Sequence, residues 1–242
     1  MTHHVGRKGQ KVTMRKPLTV SMATLAAVTV AAGCSATVQG NAVPQAGAAQ
    51  VSAQVDGLVL SAAEVNKAMG ATDMEFGTGR DSFVDNSDQT SPHQCLEVSN
   101  MGQDKVYADT GWLAVRIQGV REPVDHFQHL AHQAVVSFPH ASDADAFMVS
   151  AARAFLGCAN QRYTYRGENG DPDTVWDSGQ VANTDGVLAI SATQEGGDGW
   201  TCQRGLTAAR NIVADIMTCS SNPAHSAAVT IARGIADKVT GQ

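Results

Sequence analysis

Residues 133–158 read QAVVSFPHASDADAFMVSAARAFLGC, and the change of period inside this stretch decides the fold. Gln133 to Phe138 is an apolar run of strand length. Pro139 closes it, and Ser142 follows as a helix N-cap with Asp145 three positions on. Phe147, Ala151, Ala154, Phe155 and Cys158 then recur on one face at helical spacing. A strand therefore runs almost directly into an amphipathic helix.

Working outward, the same signals recur on both sides. Trp112 to Ile117 reads as a strand. Further back, Ser61 and Glu64 form a capping box, Leu60 and Val65 hold the hydrophobic-staple positions, and Gly70 stops the helix. Towards the C-terminus, Arg162 to Arg166 is the clearest alternation, and Val187 to Ser191 is a further strand. Gly205 to Met217 is strand-like but too long and mixed to bound. Glu168 to Asp173 and Glu195 to Gly199 read as turns between consecutive strands. Asn222 and Pro223 open a last helix, striped by Ala228, Ile231, Ala232, Ile235 and Val239. Neighbouring strands with helices at the beginning, middle and end predict an α+β fold: one domain over residues 57–242, with an antiparallel sheet flanked by helices.

Ahead of that domain the chain changes character. Arg7, Lys8, Lys11, Arg15 and Lys16 precede an uncharged apolar run from Leu18 to Gly33, the order of a secretory signal peptide over residues 1–33. Met14 is an alternative start to Met1. The run ends in Ala31-Ala32-Gly33-Cys34-Ser35, which resembles a bacterial lipobox with Cys34 as the lipidated first residue of the mature chain. It departs from that pattern at Ala31, where Leu is usual. An ordinary signal peptide, leaving Cys34 a stray thiol, is the alternative. Two acyl chains, palmitate among them, convert a soluble domain into an anchored one, at about 0.8 kcal/mol per buried methylene. Residues 34–56 follow as a flexible tether, because Ser35 to Gln54 contains no charge, no aromatic residue and no sustained period. Twenty such residues reach on the order of 25 Å.

Composition narrows the partners. The 242 residues carry 17 basic and 23 acidic side chains. Removing residues 1–33 leaves 12 basic against 23 acidic, a net of −11, which argues against nucleic acid and against electrostatic attraction to anionic lipid. Attachment to the membrane is expected through the acyl chains at Cys34 alone.

With Cys34 spent on lipid, Cys95, Cys158, Cys202 and Cys219 remain, and an exported chain is expected to oxidise them into two disulfides. None has the C-x-x-C spacing of a zinc knuckle or redox pair. Four cysteines permit three connectivities. Cys202 and Cys219 flank one β-rich stretch and could staple it, in which case Cys158 would pair with Cys95.

The order of these pieces resembles a known family. Cys95, the run from Gln133 to Pro139 followed by Ser142 to Phe147, Cys158, Trp200-Thr201-Cys202, Arg210 to Val213 before Cys219, and the closing helix Ile231 to Lys238 are similar to the extracellular sensor domain of mycobacterial PknH-type receptor serine/threonine kinases. That domain also occurs alone in exported lipoproteins. The resemblance covers about residues 57–241. It implies an antiparallel sheet flanked by helices, disulfides Cys95–Cys158 and Cys202–Cys219, and a cleft for an unidentified ligand. Two departures stand out: Ala154-Phe155-Leu156-Gly157 carries no tryptophan ahead of Cys158, and these residues contain no kinase domain or transmembrane helix. A signal would therefore pass through an envelope protein partner.

Motifs of catalysis are sparse. The sequence has no G-x-S-x-G nucleophile elbow and neither glycine-rich phosphate loop. Asp171, Asp173 and Asp177 lack calcium-loop spacing. His126, His129 and His132, with His140 nearby, would converge on zinc or copper if helical; on a strand His129 would oppose the other two. Trp112, Trp176, Trp200, Tyr163 and Tyr165 supply most of the large aromatic surface, as sheet packing and, for some, as cleft lining. Trp200, with Arg210 and Asn211, is the candidate ligand-cleft set. The sequence thus predicts a non-enzymatic envelope lipoprotein that needs no cofactor and binds a small-molecule or envelope ligand. The rival is an envelope hydrolase or metal-dependent enzyme whose site is assembled from distant residues.

Overall fold

The computed structural model describes residues 47–168, 170–222 and 226–241. The signal peptide, Cys34, the tether as far as residue 46, and Pro223 lie outside the described residues.

In chain order the elements are α1 (Ala48–Leu58), α2 (Ala62–Met69), β1 (Glu75–Phe76), β2 (Thr90–Ser91), α3 (Leu96–Ser99), α4 (Asp104–Tyr107), β3 (Ala114–Arg121), β4 (His129–Ser137), α5 (Ala141–Cys158), β5 (Arg162–Tyr165), β6 (Thr174–Ser178), β7 (Ala182–Thr184), β8 (Val187–Gln194), β9 (Thr201–Ala209), β10 (Ile212–Ser220) and α6 (Ala227–Thr240). The strands form one sheet in the order β1-β3-β4-β10-β9-β8-β6-β5-β2, with β7 beside β8. Every pairing between these strands is antiparallel, as expected for an α+β domain.

Helices cover both faces of the central strands. Along β10, Ile212, Ala214 and Ile216 join a core with Val65 of α2 and Ile231 and Ile235 of α6. Val213, on the opposite face, joins a second core with Phe147, Ala151 and Phe155 of α5. A strand buried on both sides has no alternation to read, which is why residues 205–217 resisted division. They divide into the end of β9 and the start of β10, turning at Arg210, which adopts a positive φ of 53°.

Helix α2 starts as its sequence predicts. The Glu64 N–H donates to Ser61 Oγ at 3.3 Å, the Ser61 N–H donates to Glu64 Oε2 at 2.7 Å, and Gly70 ends the helix in the left-handed region at φ 71°. Helix α5 starts earlier than the Ser142 cap predicts. His140 is the N-cap residue, and its N–H donates to Asp143 Oδ2 at 3.1 Å, so the working carboxylate is Asp143 and not Asp145.

The larger correction concerns the tether. Residues 48–58, expected as coil up to residue 56, form α1 and pack on β3 and β4. Val51 and Val55, one helical turn apart, are 9% and 1% exposed, and Asp56 lies 3.5 Å from Arg116. Two valines among Ala, Gln and Ser are too sparse a stripe to stand out in sequence, yet they suffice once a sheet offers a partner.

The disulfides join Cys95 to Cys158 and Cys202 to Cys219, as the resemblance implied. The first ties the segment before α3 to the end of α5 across 63 residues, a constraint worth about 4 kcal/mol in the chain-entropy account. The second links directly opposed residues of β9 and β10. Among the described residues no helix is long and apolar enough to cross a membrane.

Candidate ligand cleft

Two adjoining hollows open on the α5 side of the sheet. One, of about 190 Å³, is lined by Tyr163, Tyr165, Trp176 and Trp200, with the Cys202–Cys219 disulfide and Met217 among its other walls. Strand pairing places these rings. Tyr163 and Trp176 are direct partners across β5 and β6, and their planes lie within 7° of parallel. Trp176 Nε1 donates to Thr174 Oγ1 at 2.9 Å, which fixes the indole. Trp200 closes the turn from β8 to β9, its N–H donating to the Gly197 carbonyl at 2.8 Å.

Ser99, the last residue of α3, and Asn100, just past it, line the same hollow. Arg204 of β9 holds that segment from behind, donating to the carbonyls of Glu97 and Asn100. Its guanidinium also pairs with Asp215, which in turn accepts from Tyr107 Oη at 3.0 Å and from the Gly102 N–H at 3.2 Å. Burial raises the Glu97 carboxyl to about 7, and nearby Asp215 adds to that while Arg204 opposes it. Burial, then Asp215, pushes the Tyr107 phenol well up.

The second hollow, of about 350 Å³, is lined by Arg80, Arg121, His132, Gly119, Phe127 and Leu130 among others. The hollows meet at Leu130, which lines both, and at the rings of Phe127 and Trp200, 5.6 Å apart. His132 is half-buried, and burial, followed by the charges of Arg80 and Arg121, lowers it to about 4. Its ring lies so close to Gly119 that a Cβ there would come within 3.2 Å of it.

The structure separates several residues that proximity in sequence grouped. Trp200 lines the aromatic hollow, whereas Arg210 and Asn211 lie at the opposite end of β9, in the turn to β10. Nine strand residues at about 3.3 Å each keep them away from Trp200. Asn211 is engaged there, its Nδ2 donating to the Phe138 carbonyl at 2.8 Å. Trp112 packs edge-on against Phe83, both partly buried against the α5-side core.

The three histidines do not converge as a metal site requires. His126 precedes β4 and bonds Asp125 and Asp73; Asp73 in particular raises its proton affinity. His129 Nδ1 meets Glu122 Oε1 at 2.6 Å, and only His132 reaches the cleft. Among the described residues no group of three or more His, Cys, Asp or Glu is placed to hold a metal ion. Arg80 and Arg121, which sequence reasoning missed, line one hollow because Arg80 bridges Ile117 and the alternate β3 residues Ile117, Gly119 and Arg121 share a face.

These features, an antiparallel sheet covered on both faces, two disulfides and an open cleft, define a disulfide-stapled α+β domain. Residues 51–238 match the family model of the PknH-like extracellular domain, and the chain belongs to that family. It is 33% identical over 186 residues to the serine/threonine-protein kinase PknH of Mycobacterium bovis and of Mycobacterium tuberculosis. The match covers 77% of this chain but 31% and 29% of those kinases, so the chain spans under a third of their length. The crystal structure of the extracellular domain of PknH from Mycobacterium tuberculosis superposes with a TM-score of 0.74 at 32% identity, covering 79% of this chain and 97% of that one. An extracytoplasmic location follows from the family.

Proposed function

We propose that this chain is an exported, lipid-anchored, non-enzymatic sensor-like domain that binds an envelope ligand in the cleft. The observation that carries this reading is the position of Tyr165, Trp176 and Trp200. Three large aromatic side chains stay half-exposed around one hollow while the cores on both sides of the sheet are closed. Hollows of this make-up, apolar with a few polar groups, are where small molecules bind. Cys34 supplies the anchor, and the ligand-bound domain passes its signal to an envelope protein partner.

Two measurements test this. Replacing Cys34 by Ala should release the protein from the membrane fraction and abolish palmitate incorporation; retention of both contradicts the anchor. Titrating the protein with an organic extract of its own envelope should shift tryptophan emission saturably, through Trp176 and Trp200. Emission unchanged at all extract concentrations contradicts cleft binding.

A further inference from the structure

The cleft is divided by charge. Its aromatic half carries no ionisable side chain other than two tyrosines, whereas its other half carries Arg80 and Arg121. Four other arginines in the domain are matched: Arg116 by Asp56, Arg162 by Glu195, Arg204 by Asp215 and Arg233 by Asp185. Among the described residues neither Arg80 nor Arg121 has an ion-pair partner, although Glu75 is the cross-strand neighbour of Arg121. Arg153, Arg166 and Arg210 are also unmatched, but Arg80 and Arg121 share one hollow with each other and with His132. A guanidinium presents a planar fork of donors suited to phosphate or carboxylate. Two such forks on a concave surface, in a chain that is acidic overall, make an anion-binding surface.

We propose that the cleft takes an amphiphilic phosphate monoester, its phosphate on Arg80 and Arg121 and its apolar body against Trp200 and Trp176. The proposal rests on the cleft being the ligand site. Its geometry is set by Phe127 and Leu130, which lie where the hollows join, so a single molecule lying across them reaches both. His132 adds a neutral ring nitrogen beside the phosphate and no further charge. A lipid headgroup and a phosphorylated aromatic compound share this chemistry.

The test uses two dyes with the same ring system, 8-anilinonaphthalene-1-sulfonate and its uncharged parent N-phenyl-1-naphthylamine, titrated into the full chain. The anionic dye should bind at least about tenfold more tightly than the neutral one, the gain expected of charge-assisted bonds. The double variant R80A/R121A should erase that difference and leave the neutral dye unchanged, while W200A should weaken both dyes. Equal binding of the two dyes to the wild type, or anionic binding unaffected by R80A/R121A, overturns the proposal and leaves the cleft as a ligand site. Failure of both dyes to bind removes the cleft reading as well. Near-ultraviolet circular dichroism establishes that the variants are folded. Displacement of the anionic dye by dodecyl phosphate in preference to 1-naphthyl phosphate identifies a lipid source, and the reverse order an aromatic one. Displacement by inorganic phosphate at the same concentration as either overturns the requirement for an apolar body.

Discussion

Arg204 and Asp215 form an ion pair whose side chains are 2% and 3% exposed, and the same guanidinium holds the two carbonyls that position one wall of the cleft. Removing one member of a buried pair strands the other charge and typically costs about 3–5 kcal/mol. We expect R204M to lower unfolding free energy by that order and to weaken ligand binding through Ser99 and Asn100. R204M/D215N should recover part of the loss, since the stranded carboxylate is then gone. Urea unfolding followed by tryptophan emission measures both, and additive losses would contradict the coupling.

Glu97 and His132 should oppose each other in the pH dependence of stability. Folded Glu97 holds its proton up to about 7 against an ordinary value of 4.5, so stability falls as pH rises through that window, by about 3 kcal/mol in all. Folded His132 refuses a proton down to about 4, whereas the unfolded chain accepts it below 6.5, so stability falls as pH drops through that range. Between about 4.5 and 6.5 the two slopes cancel in the wild type. E97Q should leave a protein that weakens on acidification, and H132N one that strengthens. Unfolding at a series of pH values tests this, and two variants with the wild-type slope would refute it.

The disulfides should reduce in a fixed order. Cys95 and Cys158 are wholly buried, whereas Cys202 is partly exposed at the aromatic hollow. Attack by an external thiolate needs access to sulfur. Limited dithiothreitol followed by alkylation and peptide mapping should label Cys202 and Cys219 first. Earlier labelling of Cys95 and Cys158 would contradict the burial.

Gly205 should resist enlargement. A Cβ at this position would lie 2.9 Å from the backbone of Ala228, where α6 packs on β9. Backbone cannot yield as a flexible side chain does, so G205A should cost about 1–3 kcal/mol. Thermal unfolding measures it, and an unchanged midpoint would mean that α6 sits further from the sheet.

Much of the architecture was legible because it rests on local chemistry. The Ser61–Glu64 box, the alternation from Arg162 to Tyr165 and the stripe of α6 are each written within one turn or one strand. Helix α1 was hidden because only Val51 and Val55 mark its buried face, and β10 because both its faces are buried. The cleft was half legible. Trp200 was legible as one of the few large aromatic side chains, but Arg210 and Asn211 are near it only along the chain. Arg80, Arg121 and His132 meet only once the strand register is set, and no spacing in the sequence encodes that meeting. The Arg204–Asp215 pair is invisible for the same reason: a charged residue in sequence looks solvated until both faces of its strand are covered.

Native mass spectrometry of the protein purified from its own envelope, compared with W200A purified in the same way, tests cleft binding most directly. The wild type should carry a reproducible non-covalent mass that W200A lacks. A bare polypeptide mass in both, or the same adduct retained by W200A at equal occupancy, would contradict a ligand seated against Trp200.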